Sequence, residues 1–255
     1  MSLRARILAV SALALLLFGA RAVFPRLAAP VAAFGRGPAI VLVRGLGSDT
    51  GRWLPTARIL ARRHRVAFVD LPGSGISALP GLLSLESATR TLDMALARVS
   101  RQPVVLVGHS LGGLVAAAEA CARPGRVRAL VLVETSLRPR GAWTEQRTAP
   151  DPAVVGPWSR LALETDLSAR VARLRCPLLV VLAPGSWPRG EPWVEAAAAL
   201  GFGAVPRVRA VRVDGCGHFV MIDRPDELAR LIGRFADAPD GGPVVLAVWL
   251  ADRAG

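Results

Sequence analysis

Apolar positions along this chain follow two rhythms that take turns. Short runs dominated by Val, Leu, Ile and Ala occupy 39–44, 65–70, 104–107, 128–134, 178–183 and 207–213. Runs of this length, bounded by Gly, Pro and Asp, predict strands buried on both faces, as in a parallel sheet. Between them, apolar residues recur at helical spacing. The pattern predicts helices over 54–63, over 84–100 with Ser84 as cap, from 113 onward, and over 226–235 led by Pro225. Strand and helix in alternation imply an α/β domain, a mostly parallel sheet of about six strands with helices on both faces. With only 255 residues, one such domain is expected.

The ends break the rhythm. Arg4 and Arg6 precede an apolar run over 7–18, followed by Gly19-Ala20-Arg21-Ala22. That is the layout of a signal peptide with an Ala-x-Ala cleavage site after Ala22, and the run falls short of the ~20 residues that span a bilayer. Export to the periplasm or medium is therefore expected; an uncleaved N-terminal anchor is the alternative. Residues 23–37, rich in Pro, Gly and Ala, read as a linker, 38–238 as the domain, and 239–255 as an apolar tail. Nothing decides whether that tail adds an edge strand or docks as a loose segment.

Charge changes the picture less than its size suggests. The chain carries 32 basic and 19 acidic residues, and every basic one is arginine. The arginines are scattered rather than run together, so no nucleic-acid footprint is expected. A net charge of +13 is compatible with association at a membrane surface or with acidic substrates. The three cysteines, Cys121, Cys176 and Cys216, have no metal-ligand spacing, and neither metal nor cofactor is expected. Oligomeric state leaves no signature.

The chemistry concentrates at 103–113, Pro-Val-Val-Leu-Val-Gly-His-Ser-Leu-Gly-Gly. An apolar strand stops at Gly108, turns sharply through Ser110, and continues as a helix. Gly108 and Gly112 flank the serine because side chains there would collide with neighbouring backbone. The turn pushes one hydroxyl out at the carboxyl edge of a sheet, beside helix N–H groups that favour negative charge. With Gly217-His218-Phe219 following the last strand, the chain resembles the α/β-hydrolase fold family, in its small bacterial serine esterase and lipase type, over roughly residues 38–236.

The resemblance implies roles residue by residue. Ser110 matches the nucleophile and His218 the general base. The backbone N–H groups of Leu46, in Arg44-Gly45-Leu46-Gly47, and of Leu111 match the oxyanion hole, with Arg44 standing where relatives keep histidine. The acid departs from the pattern: Ser186 occupies the loop position where most relatives carry Asp. Glu134, ending the strand after the elbow helix, is the expected substitute; Glu191 in the next loop, or no working acid at all, are the alternatives. Between Glu134 and Cys176 lie 41 residues, enough for a short lid over about 137–166 containing Trp143 and Trp158. Those tryptophans fit either an acyl pocket or plain packing.

An alcohol attacks a carbonyl only when an imidazole takes its proton, and the resulting imidazolium needs an anionic partner. Serine at the elbow excludes the dehalogenase and epoxide hydrolase chemistry of the fold, which needs Asp there, and a chain without lysine excludes its lysine-dependent lyases. The expected activity is hydrolysis of a small-molecule or lipid carboxylic ester through an acyl-Ser110 intermediate. Alternatives are an acyltransferase or thioesterase on the same site, and a non-catalytic binding protein on a decayed hydrolase fold.

Overall fold

The computed structural model describes residues 31–46, 50–71, 83–139, 157–205, 208–240 and 245–248. The signal-like segment 1–22 and most of the predicted lid, Trp143 included, lie outside the described residues. The six expected strands are all present: β2 (Ala39–Val43), β3 (Arg65–Val69), β4 (Val104–His109), β5 (Val127–Val133), β6 (Leu178–Leu182) and β7 (Val208–Val213). Two four-residue strands extend the sheet beyond them, β1 (Val31–Phe34) and β8 (Val245–Val248). The order is β1-β3-β2-β4-β5-β6-β7-β8, all parallel except β1 against β3.

Among the described residues the sheet reaches eight strands where about six are expected, because two short strands extend its edges, and the stretch read as a linker over 23–37 contains β1. Val31-Ala-Ala-Phe34 pairs not with β2, the next strand in the chain, but antiparallel along the free edge of β3, in a register of four residue pairs. The tail question resolves in the same way, since β8 pairs in parallel with β7.

Helices cover both faces. Helix α1 (Thr50–Leu60) starts four residues before the expected 54–63, and Trp53 in its first turn is wholly buried against the sheet. It shares one face with α7 (Val220–Asp223) and α8 (Pro225–Asp237), packing Trp53, Leu60, Met221 and Ile232 on Ile40, Leu42, Val105 and Val107. The other face carries α2 (Leu85–Val99), α3 (Leu111–Ala122), α5 (Ser168–Val171) and α6 (Trp193–Leu200). Helix α4 (Pro157–Glu164) belongs to the predicted lid, and its Trp158 packs into that same core. Successive strand residues alternate between the two clusters, so both faces of β2 are buried throughout.

Start signals read from sequence have their physical counterparts. Ser84 and Ser87 exchange hydrogen bonds in a capping box at α2. Pro225 opens α8, where Asp226 and Glu227 lie in the positive first turn. One charged side chain is buried within α3: Glu119, paired with Arg123 at 2.6 Å, leaves its Oε1 without a hydrogen-bond partner. Burial pushes its carboxyl up to about 7, against the opposing pull of Arg123.

Candidate active site

The site is assembled by the carboxyl ends of β4, β5, β6 and β7, which are neighbours in the sheet. In the register of β4 and β5, His109 pairs with Val133, so Ser110 and Glu134 leave their strands side by side. The Ser110 N–H donates to Val133 O at 3.0 Å, and the Glu134 N–H donates to Val181 O at 2.9 Å. These ladders bring residues 24 positions apart in sequence to one edge.

Among the described residues, Ser110 and Glu134 are the non-glycine positions with positive φ, 51° and 49°. Each such residue stores of order 1–3 kcal/mol, which the surrounding packing must overcome. At Ser110 that packing has no slack. A Cβ on Gly108 would stand 2.5 Å from Gly113 Cα, and one on Gly112 would strike the carbonyls of Val43 and Arg44. A Cβ on Gly113 would run into Thr135, whose hydroxyl lies between the carbonyls of Val133 and Ser110 at 3.1 and 3.3 Å. The elbow therefore locks into both neighbouring strands. Ser110 opens α3, with the Leu111 N–H in its first turn.

Glu134 is 6% exposed and its carboxylate is fully used. Oε1 accepts the Ala183 N–H at 2.7 Å, and Oε2 accepts the Ser186 hydroxyl at 2.9 Å. The same Oε2 lies 3.1 Å from His218 Nδ1. Ser186, in the loop where the resemblance implies an acid, thus contributes a donor to the carboxylate that comes from the neighbouring strand. In sequence Ser186 marks only a missing Asp; its donor role depends on the neighbouring strand. Glu191 meets Trp187 through its backbone, its carbonyl accepting the indole N–H at 2.8 Å. Asp214, near His218 in sequence, pairs instead with Arg212 and Arg189 at 3.2 and 3.1 Å.

His218 sits in a loop held from both sides. Gly215 turns at φ 69°, and the Gly217 N–H donates to Asp223 Oδ2 at 2.8 Å. The imidazole is 34% exposed while the Glu134 side chain beneath it is 3% exposed, so the ring stands between buried carboxylate and solvent. Cys216, two residues earlier, donates its thiol to Val213 O, and burial beside Glu134 pushes it up to about 12. Arg44 at the end of β2 pairs with Asp70 at 2.8 Å and continues into Gly45-Leu46. Leu46 is 49% exposed.

In sequence His109 carries no signal beyond its place in the elbow. It is wholly buried, and its Nε2 lies 2.9 Å from the carbonyl oxygen of His218. Burial, reinforced by the neighbouring His218, pushes it down to about 3, so the ring is neutral. A cavity of about 850 Å³ opens at the opposite, amino-terminal edge of the strands among Arg65, Arg98, Arg101 and Arg128. It shares no residue with the Ser110, Glu134 and His218 cluster. Among the described residues no group of three His, Cys, Asp or Glu side chains is placed to hold a metal ion.

Comparison with known proteins bears on the fold more than on the substrate. The chain is 40% identical over 103 residues to a pimeloyl-[acyl-carrier protein] methyl ester esterase of Aeromonas hydrophila subsp. hydrophila, covering 40% of each protein. It is 34% identical over 154 residues to the protein of the same name from Pseudoalteromonas atlantica, covering 60% of this chain and 55% of that one. The chain thus matches less than two thirds of the length of either relative. Among solved structures, a bacterial membrane phospholipase A superposes with a TM-score of 0.62 at 20% identity, over 92% of this chain and 97% of that one. The alpha/beta hydrolase fold family model matches residues 38–169, more than half of the chain. With a strained serine between strand and helix and a histidine–carboxylate pair at the same sheet edge, the chain belongs to the alpha/beta hydrolase fold family.

Proposed function

We propose that the protein is a serine hydrolase that cleaves carboxylic esters through an acyl-Ser110 intermediate. The observation that carries this reading is the contact of 3.1 Å between His218 Nδ1 and the buried Glu134 carboxylate, at the edge where Ser110 turns outward. An Nδ1–H donated to Glu134 leaves Nε2 bare to take the Ser110 proton as Oγ attacks the ester carbonyl. The carboxylate stabilises the imidazolium that forms. The Leu46 and Leu111 N–H groups receive the oxyanion, each such donor lowering the barrier by about 3 kcal/mol. Collapse returns the proton from His218 to the leaving alkoxide and leaves the acyl group on Ser110. A water then attacks the acyl-enzyme, His218 takes its proton, and the acid departs as Oγ is reprotonated.

The names of the curated relatives, esterases of an acyl-carrier-bound methyl ester, agree with the reaction class. The test is fluorophosphonate labelling and p-nitrophenyl ester turnover, wild type beside Ser110→Ala. Labelling and turnover that both vanish in the variant support the reading. A folded wild type that neither labels nor turns over overturns it in favour of a binding protein. A labelled wild type that releases product only with an added alcohol, amine or thiol acceptor makes it an acyltransferase.

A further inference from the structure

We infer that His109 is a positioning residue for the general base: by donating Nε2–H to the main-chain oxygen of His218, it fixes how far the base stands from the nucleophile. The inference rests on the hydrolase reading of Ser110 and His218. A carbonyl oxygen can only accept, so the contact of 2.9 Å puts the proton on Nε2 and leaves Nδ1 bare. That Nδ1 is buried and has no hydrogen-bond partner. An unsatisfied buried acceptor of this kind costs roughly 1–3 kcal/mol, so packing alone would favour a different residue here.

What histidine contributes is reach in three directions. It is the residue before Ser110 in the chain. Its ring centroid lies 4.7 Å from that of His218 and 5.6 Å from that of Phe219. Its bare edge faces Gly45: a Cβ there would come within 2.8 Å of Nδ1 and 2.9 Å of Ser110 Cβ. One rigid side chain therefore touches the base loop and the segment leading to Leu46 while being bonded to the nucleophile. Glu134 restrains the imidazole of His218 from its Nδ1 side, and His109 restrains the backbone that carries it. Between them the base has little freedom to swing away from Oγ. Buried beside His218, the neutral ring adds no like charge next to the imidazolium that forms during attack.

Gln and Asn separate this role from mere filling. The Gln side-chain nitrogen reaches the place of His Nε2, while that of Asn reaches only the place of Nδ1. Turnover is measured for His109→Gln, His109→Asn and His109→Phe, normalised to sites titrated with fluorophosphonate so that unfolded enzyme is not counted. The expected result is His109→Gln within about threefold of wild-type kcat, and His109→Asn and His109→Phe lowered about 10- to 100-fold, as for a base misplaced by a fraction of an ångström. KM should stay within about twofold in all, since substrate binding is untouched. If His109→Phe does not fold, the Gln and Asn pair decides. Equal kcat per titrated site in Gln and Asn variants, near wild type or equally slow, overturns the positioning role. A wild type that neither labels nor turns over overturns the hydrolase reading and this inference with it.

Discussion

Replacing Glu134 by Gln tests the unusual placement of the acid most directly. The amide oxygen keeps the Ala183 N–H that Oε1 now accepts at 2.7 Å, which leaves the amide nitrogen in the position of Oε2. There it faces Ser186 Oγ at 2.9 Å and His218 Nδ1 at 3.1 Å. An amide nitrogen only donates, so Nδ1 must become the acceptor and the imidazole proton moves to Nε2. A protonated Nε2 cannot take the Ser110 proton. A wrong tautomer of this kind costs up to about 10⁴ in turnover, roughly 5 kcal/mol of barrier. The His218 ring is 34% exposed and water can partly replace the lost partner, so the expected loss in kcat is about 10²- to 10⁴-fold. The assay is kcat and KM on p-nitrophenyl esters, with far-UV circular dichroism to establish the fold. A second step moves the carboxylate back to the loop: in Glu134→Ala with Ser186→Asp, the new side chain starts one hydrogen bond from the vacated Oε2 position and extends one bond further. It should recover at least about tenfold over Glu134→Ala alone. Glu134→Gln turning over within about threefold of wild type would remove Glu134 from the mechanism.

Other outcomes follow from features away from the acid. The carboxyl of Glu119 is raised to about 7 by burial, so between the ordinary carboxylate range and neutrality the folded chain holds a proton that the unfolded chain has lost. Stability should therefore fall as pH rises through that window, by at most on the order of 3 kcal/mol, and Glu119→Gln should flatten the dependence in urea melts at pH 5 and 8. An unchanged slope would refute it. Gly113→Ala drives a Cβ into Thr135 and should destabilise by about 1–3 kcal/mol, read as a lower urea midpoint at unchanged m. The Cys216 thiol, raised to about 12, should resist iodoacetamide at pH 8, and activity should survive the treatment. Export predicts that N-terminal sequencing of the mature chain begins at or near Val23; a chain starting at Met1 or Ser2 would refute cleavage.

How much of this was legible beforehand follows from what each feature depends on. Strands β2, β4 and β6 announced themselves because both their faces are buried, which leaves unbroken apolar runs such as Ile40 to Val43, while β3, β5 and β7 keep the apolar majority with arginines interspersed. Strand β1 did not, since a four-residue edge strand needs only one paired side and its Val-Ala-Ala-Phe resembles any apolar linker. Ser110 was legible because a tight turn constrains its neighbours to glycine. Glu134 was legible as the expected acid only through the resemblance and its place at a strand end; its meeting with His218 depends on β5, β6 and β7 lying side by side, which no local pattern encodes. Ser186 and His109 were missed as contributors for the same reason. Their hydrogen bonds span 52 and 109 residues, and a lone Ser or His carries no periodic signal.

The two short margins of the sheet have a bearing on solubility. Among the described residues, strands β1 and β8 each present four main-chain positions at the rim, little ladder for a second molecule to build upon. A chain ending before residue 245 would uncover the six-residue rim of β7, where Ala210 and Val211 sit among the innermost apolar layers. Such a shortened protein should self-associate even with its elbow intact, because what the final strand supplies is a finished border rather than chemistry.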